Sequence, residues 1–183
     1  MRGTLETIVG AMFAGKTSEL LKRILWAKHQ NKKILVIKPI IDDRYSEKLI
    51  ITHNNLSHEC YAMKNWKETN REFTLKKENY DMVFLDEIQF MEPSQTIENV
   101  ELMLNTGIDV VCAGLDQDSR GKPWETSSFL LGLSDKITKI YGFCNVCGFE
   151  ATKTYRKVEG GARTQVGAAN IYEPRCLKHW KPQ

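Results

Sequence analysis

No stretch of this chain is apolar for long enough to cross a bilayer. The strongest runs, Ile34–Ile37 and Val110–Ala113, are only a few residues long, against the roughly 20 that a spanning helix needs. A large excess of one charge is missing too. The 26 basic and 23 acidic residues leave a formal net charge of +3, which argues against a surface built to wrap nucleic acid. Repeats and low-complexity segments are absent, so solenoid and fibrous architectures are excluded. Residues Met1–Val9 lack the charged-then-apolar pattern of a secretory leader. The expectation is a cytoplasmic protein with no membrane partner. The five cysteines do not make an even set, and in a reducing compartment a disulfide framework is not expected. Cys60 and Cys112 stand alone and read as apolar fillers.

What is present is ordinary globular material: 42% apolar and 27% charged residues over 183 positions. That length predicts one sizeable domain, or one domain with a small appendage. Thr4–Val9, Lys33–Lys38, Met82–Leu85 and Ile108–Ala113 read as short buried strands, and Ile137–Tyr141 as a possible fifth. Ser18–Gln30 has apolar residues at helical spacing, and Ile97–Asn105 reads the same way. Strands alternating with helices predict a parallel sheet covered on both faces. From about Tyr141 the chain turns Gly-, Cys- and polar-rich. The predicted boundaries are therefore 1–140 for the α/β unit and 141–183 for a smaller one.

The segment Gly10-Ala11-Met12-Phe13-Ala14-Gly15-Lys16-Thr17 fits the phosphate-loop pattern throughout. Glycines allow a tight turn that points several N–H groups at one anion, and the helix that follows adds the positive end of its dipole. Lys16 supplies a point charge to the β- and γ-phosphates, and the Thr17 hydroxyl is placed to hold Mg²⁺. A random chain of this length would match about once in 150, and here the match also sits between a strand and a helix. Asp86 and Glu87 close the strand Met82–Leu85. In a phosphate-loop sheet, Asp86 at that place can hold Mg²⁺ through water, and Glu87 can face the acceptor as a general base. The bound species expected are ATP and Mg²⁺.

Cys144-x₂-Cys147 and Cys176-x₂-His179 form two short ligand pairs at zinc spacing. Four protein ligands leave no open position, so the zinc is expected to be structural. It would pin both ends of the segment Phe149–Arg175, leaving a loop with fixed roots that is suited to cover a substrate. A zinc ribbon also raises an alternative, an ATP-dependent module that binds nucleic acid. Glu150, Glu159 and Glu173 interrupt the basic residues there, which disfavours it.

These elements together resemble the zinc-containing thymidine kinases of the cytosolic type (type II). The matching segments are the phosphate loop with Met12-Phe13, Asp42-Asp43-Arg44-Tyr45-Ser46, Asp86-Glu87-Ile88-Gln89-Phe90, Gly114-Leu115-Asp116 and Arg120-Gly121. They continue with Val166-Gly167-Ala168, Tyr172-Glu173-Pro174-Arg175 and the cysteine–histidine set. The resemblance implies a RecA-like sheet with a small C-terminal zinc-binding lasso domain, and transfer of the γ-phosphate of ATP to the 5′-hydroxyl of thymidine. It implies Glu87 as general base, with Asp42, Arg44 and Gln89 positioning phosphates and acceptor. Leu115 is then part of the base pocket. Arg163, Thr164, Gln165, Val166, Gly167 and Tyr172 belong to the loop over the thymine. A homotetramer and inhibition by dTTP are implied as well. The chain departs from the family at Ser119, where a phenylalanine commonly lies against the base; Phe90 and Phe129 are the aromatics that could compensate.

Overall fold

The computed structural model describes residues 1–40, 49–51, 57–76, 79–158, 160, 163 and 170–182. The first half contains β1 (Leu5–Val9), α1 (Lys16–His29), β2 (Ile34–Pro39), β3 (Leu49–Ile51), β4 (Ser57–Glu59), β5 (Tyr61–Met63) and α2 (Trp66–Lys76). It is followed by β6 (Met82–Leu85), a 3₁₀ turn over Ile88–Phe90, α3 (Pro93–Asn105), β7 (Asp109–Gly114), α4 (Glu125–Leu133) and β8 (Lys136–Lys139). Four short strands complete the chain: β9 (Gly142–Phe143), β10 (Glu150–Ala151), β11 (Lys153–Arg156) and β12 (Tyr172–Arg175).

Six strands form one sheet in the order β5-β2-β6-β7-β1-β8, and every pair is parallel. Side chains alternate across it with the period of two that a strand imposes. Leu5, Val83, Leu85, Val110 and Cys112 face one core, with Trp66 of α2, Val100 and Leu104 of α3 and Leu130 of α4. Ile8, Phe84, Val111 and Ala113 face the other, against Leu20, Leu21, Ile24 and Ala27 of α1. With both faces buried, the central strands read as continuous apolar runs in sequence. The expected parallel sheet with helices on both faces is the observed architecture.

Element limits shift where local signals are weak. The helix expected at Ile97 begins at Pro93, because Glu92 caps it: its carboxylate accepts from the N–H groups of Ser94 at 3.2 Å and Gln95 at 2.7 Å, and proline suits the first turn. The last strand of the sheet spans Lys136–Lys139, ending two residues before the expected limit. Helix α4, rich in serine and carrying Gly132, has no sequence-level signal. It is fixed by tertiary contacts: the Thr126 hydroxyl donates to the Met91 carbonyl, and the Ser127 hydroxyl to the Leu115 carbonyl, both at 2.7 Å.

Beyond β8 the sheet ends. Strands β9 and β10 pair as one antiparallel ribbon and β11 and β12 as another. The second ribbon lies against the phosphate loop, where the Thr154 hydroxyl accepts from Met12 N–H at 3.0 Å. Trp180 ties the same region down further along. Its indole N–H reaches the carbonyls of Ser119 and Thr154 at 3.2 Å each, and its ring packs against Gly121.

Candidate active site

The phosphate loop leaves β1 and turns through two left-handed residues, Phe13 at φ 63° and Gly15 at φ 92°, before α1 starts at Lys16. A side chain at Gly10 would collide with the Ile140 carbonyl. Lys16 is folded back, its ammonium donating to the Ala11 carbonyl at 2.8 Å. Burial pulls its pKa down, while the charges of Glu87, Asp86 and Asp116 pull it up. Three acidic side chains therefore converge on one lysine.

Asp86 follows β6 and is 5% exposed. Burial and the neighbouring Glu87 charge push its carboxyl up to about 7, against the Glu87 N–H, the Lys16 charge and the Thr17 hydroxyl. Thr17 Oγ1 lies 3.3 Å from Asp86 Oδ2. A buried carboxylate short of positive charge, beside a hydroxyl, is the hard oxygen donor set that Mg²⁺ takes. These residues fit the ion.

Among the described residues, Glu87 is one of three non-glycine residues with positive φ, at 54°. An uncommon conformation of this kind costs free energy and collects at functional sites. It is held by Gln89, whose amide N–H donates to the Glu87 carboxylate while its carbonyl oxygen accepts from Leu115 N–H at 2.9 Å. Gln89 is itself buried. Close approach at Gly114 makes this possible, since an added Cβ there would lie 2.5 Å from both Gln89 Oε1 and Ile88 Cγ1. Leu115, Gln89 and Glu87 thus form one braced unit beside the phosphate loop.

At the other end, Cys144, Cys147, Cys176 and His179 bring their ligand atoms within 4.8 Å of one another. A tetrahedral zinc with ordinary bond lengths needs sulfurs about 3.8 Å apart and sulfur–nitrogen pairs about 3.5 Å apart. Observed separations are 3.7 Å for Cys147–Cys176, 3.7 Å for Cys144–His179 Nδ1 and 3.4 Å for Cys176–His179 Nδ1. Burial opposes ionisation of Cys144, but backbone N–H groups of Cys176, Val146 and Cys147 and the His179 ring outweigh it and bring the thiol down to about 5. Gly148 at φ 75° makes the turn after Cys147. The residues fit a four-coordinate zinc.

A family model described as thymidine kinase matches residues 3–180. A thymidine kinase of Bdellovibrio bacteriovorus is 36% identical over 182 residues, covering 100% of this chain and 87% of that one. The chain belongs to the thymidine kinase family. Among solved structures, the replication initiator DnaA bound to AMPPCP and single-stranded DNA is 14% identical, with a TM-score of 0.42. The match covers 76% of this chain and 40% of that one. The Legionella pneumophila ATPase DotB is 16% identical with a TM-score of 0.44, over 72% of this chain and 34% of that one.

For a thymidine kinase, the sequence-predicted residues fall into three groups. Gly10–Thr17, Asp86, Glu87, Gln89 and Leu115 come together at the ends of β1, β6 and β7. Tyr172 is buried at the start of β12. Arg163 lies across the loop after β7, its Nε donating to Asp118 at 2.8 Å and its guanidinium stacked 4.2 Å from the Trp124 ring. Asp42, Arg44, Thr164, Gln165, Val166 and Gly167 lie outside the described residues. Of the two aromatics named as able to compensate for Ser119, Phe90 meets Trp124 edge-on at 5.8 Å, whereas Phe129 is 51% exposed on α4. Asp118 shapes that loop by accepting from the N–H groups of Arg120 and Lys122. Sequence reasoning passed over Asp118, Thr154 and Trp180. Only the short-side-chain acid two residues before Arg120 carried a local turn signal. Trp26 sits on α1, half exposed, with Lys22 and Arg23 over its ring.

Proposed function

We propose that this thymidine kinase family member transfers the γ-phosphoryl group of ATP to the 5′-hydroxyl of thymidine through the residues gathered at the ends of β1, β6 and β7. The observation that carries the assignment is the braced Glu87, set one residue past the buried Asp86 and facing the phosphate-loop lysine. Phosphoryl transfer asks little covalent work of a protein; positioning and charge dominate. The loop N–H groups cradle the phosphates, and Lys16 leaves the Ala11 carbonyl for their oxygens. Thr17 and Asp86 would hold Mg²⁺, which neutralises charge developing between the β- and γ-phosphates. Glu87 accepts the proton of the attacking hydroxyl, and Gln89 keeps its carboxylate aimed. Asp42 and Arg44 complete the phosphate contacts in this reading, and residues 163–167 with Tyr172 cover the base. The Cys₃His set holds a structural zinc that roots this cover. Assembly as a homotetramer, feedback by dTTP and a cytoplasmic location belong to the same proposal.

A pocket that recognises thymine by its methyl gains only about 1–3 kcal/mol over deoxyuridine. Main-chain groups reading the pyrimidine edge would reject cytosine more strongly, because buried groups would be left unpaired. The test is incubation with Mg-ATP and a nucleoside panel. Thymidine and deoxyuridine should yield 5′-monophosphates and deoxycytidine should not; no thymidylate from folded, ATP-binding protein would overturn the assignment.

A further inference from the structure

Asp116 has no role in the mechanism above, yet it stands where β7 leaves the sheet. That strand lies between β1, which ends in the phosphate loop, and β6, which ends in Asp86. Its exit therefore opens between the two elements that hold the phosphates and the metal. Asp116 is 7% exposed. One carboxylate oxygen, Oδ2, pairs with the Lys139 ammonium at 2.8 Å. The other, Oδ1, is buried with no partner among the described residues. The Asp116 charge acts on Lys16 together with those of Asp86 and Glu87.

A buried acceptor without a donor is costly, and such atoms are satisfied in nearly all native sites. The fold pins Asp116 in place regardless: its carbonyl accepts from Trp124 N–H at 3.0 Å, and Leu115 before it is bonded to Gln89. A ligand entering between β1 and β6 can bring that donor. Phosphate oxygens are acceptors and cannot serve. Magnesium dehydrates reluctantly and keeps several waters, each a strong donor.

We propose that Asp116 is a positioning residue for the metal, its free oxygen Oδ1 accepting a hydrogen bond from a water of the Mg²⁺ shell. The inference rests on the Mg-ATP reading of this site. Thr17 and Asp86 would hold the ion, and Asp116 would orient water of its shell. Lys139 partly neutralises Asp116 and keeps Oδ2 occupied, so Oδ1 is the oxygen left to accept. Outer partners of this kind change metal affinity about 10–100-fold when removed.

The experiment measures binding without turnover. A fluorescent ATP analogue is titrated with Mg²⁺ on wild type, Asp116→Asn, Asp116→Ser and Lys139→Met, each checked for folding by its thermal melt. The Mg²⁺ midpoint should rise about tenfold or more in both Asp116 variants, while analogue affinity without metal stays the same or tightens. Lys139→Met, which breaks the ion pair but keeps the carboxylate, should hold the wild-type midpoint. An unchanged midpoint in whichever Asp116 variant folds would overturn the inference, as would an equal shift in Lys139→Met. A change confined to nucleoside affinity would also overturn it, pointing Oδ1 to a substrate hydroxyl. If wild type shows no magnesium-dependent binding, the metal reading itself fails, and that result is distinguishable from the others.

Discussion

The two ends of this molecule are organised by different physics. At the phosphate end, the chain supplies Gly10–Thr17 in one stroke, and a parallel sheet buried on both faces places Asp86, Glu87 and Leu115 beside it. In the C-terminal ribbons, β9 and β10 are two residues each, and among the described residues Phe143, Phe149 and Leu177 stay largely exposed. So little buried surface cannot fix a conformation alone. Cys144, Cys147, Cys176 and His179 would do that work around a metal, with Trp180 and Thr154 joining the ribbons to the loops. In the proposed reading, the sheet carries the rigid chemistry, and a metal would carry the covering segment.

The largest expected effect falls at the sheet end. Glu87→Gln should lower kcat by at least about 100-fold with ATP affinity little changed. Rapid-quench measurement of thymidylate formation checks this; a near-normal rate would remove Glu87 as the base. Gly114→Ala sharpens the same point without touching a charge. Its added methyl must displace Gln89 or Ile88, at a cost of about 1–3 kcal/mol. Denaturant unfolding should show that loss, and kcat should fall with it as Glu87 loses its brace; unchanged stability and rate together would contradict the packing described.

The smallest effect tests the sheet's own electrostatics, away from both ends of the comparison. Burial pushes the Glu6 carboxyl up, but hydrogen bonds from Arg23, Thr138 and Lys136 outweigh it and hold its pKa below the ordinary value. A depressed carboxylate stabilises the fold above the ordinary glutamate range, and that stability is lost as pH falls through the lowered folded value. Glu6→Gln should therefore cost about 1–2 kcal/mol at neutral pH and much less in acid below the carboxylate range. A difference that is flat with pH would show that the ion pairs contribute nothing.

Much of the sheet end was legible because its determinants are contiguous. Buried parallel strands are uniform apolar runs, so β1, β2, β6 and β7 stood out. The phosphate loop and Asp86-Glu87 are unbroken in sequence, and the two ligand pairs carry zinc spacing. Other features were invisible for a physical reason. Helix α4 depends on hydroxyl bonds from Thr126 and Ser127 to loops far along the chain. Strand β5 is three residues long and is defined by its pairing with β2. The orphaned oxygen of Asp116 and the bridging amide of Gln89 are facts about partners in space, and no periodicity reports them. Trp180 and Gly121 likewise meet only in the folded chain.

The division of labour between the two ends is tested most directly by Cys176→Ser, assayed on one sample for bound zinc, ATP binding and thymidine phosphorylation. The account predicts that zinc is lost, ATP still binds within a few-fold of wild type, and thymidylate formation falls by about 100-fold or more, the scale set by loss of substrate positioning. Full phosphorylation without zinc, or zinc retained at one per chain, would contradict it.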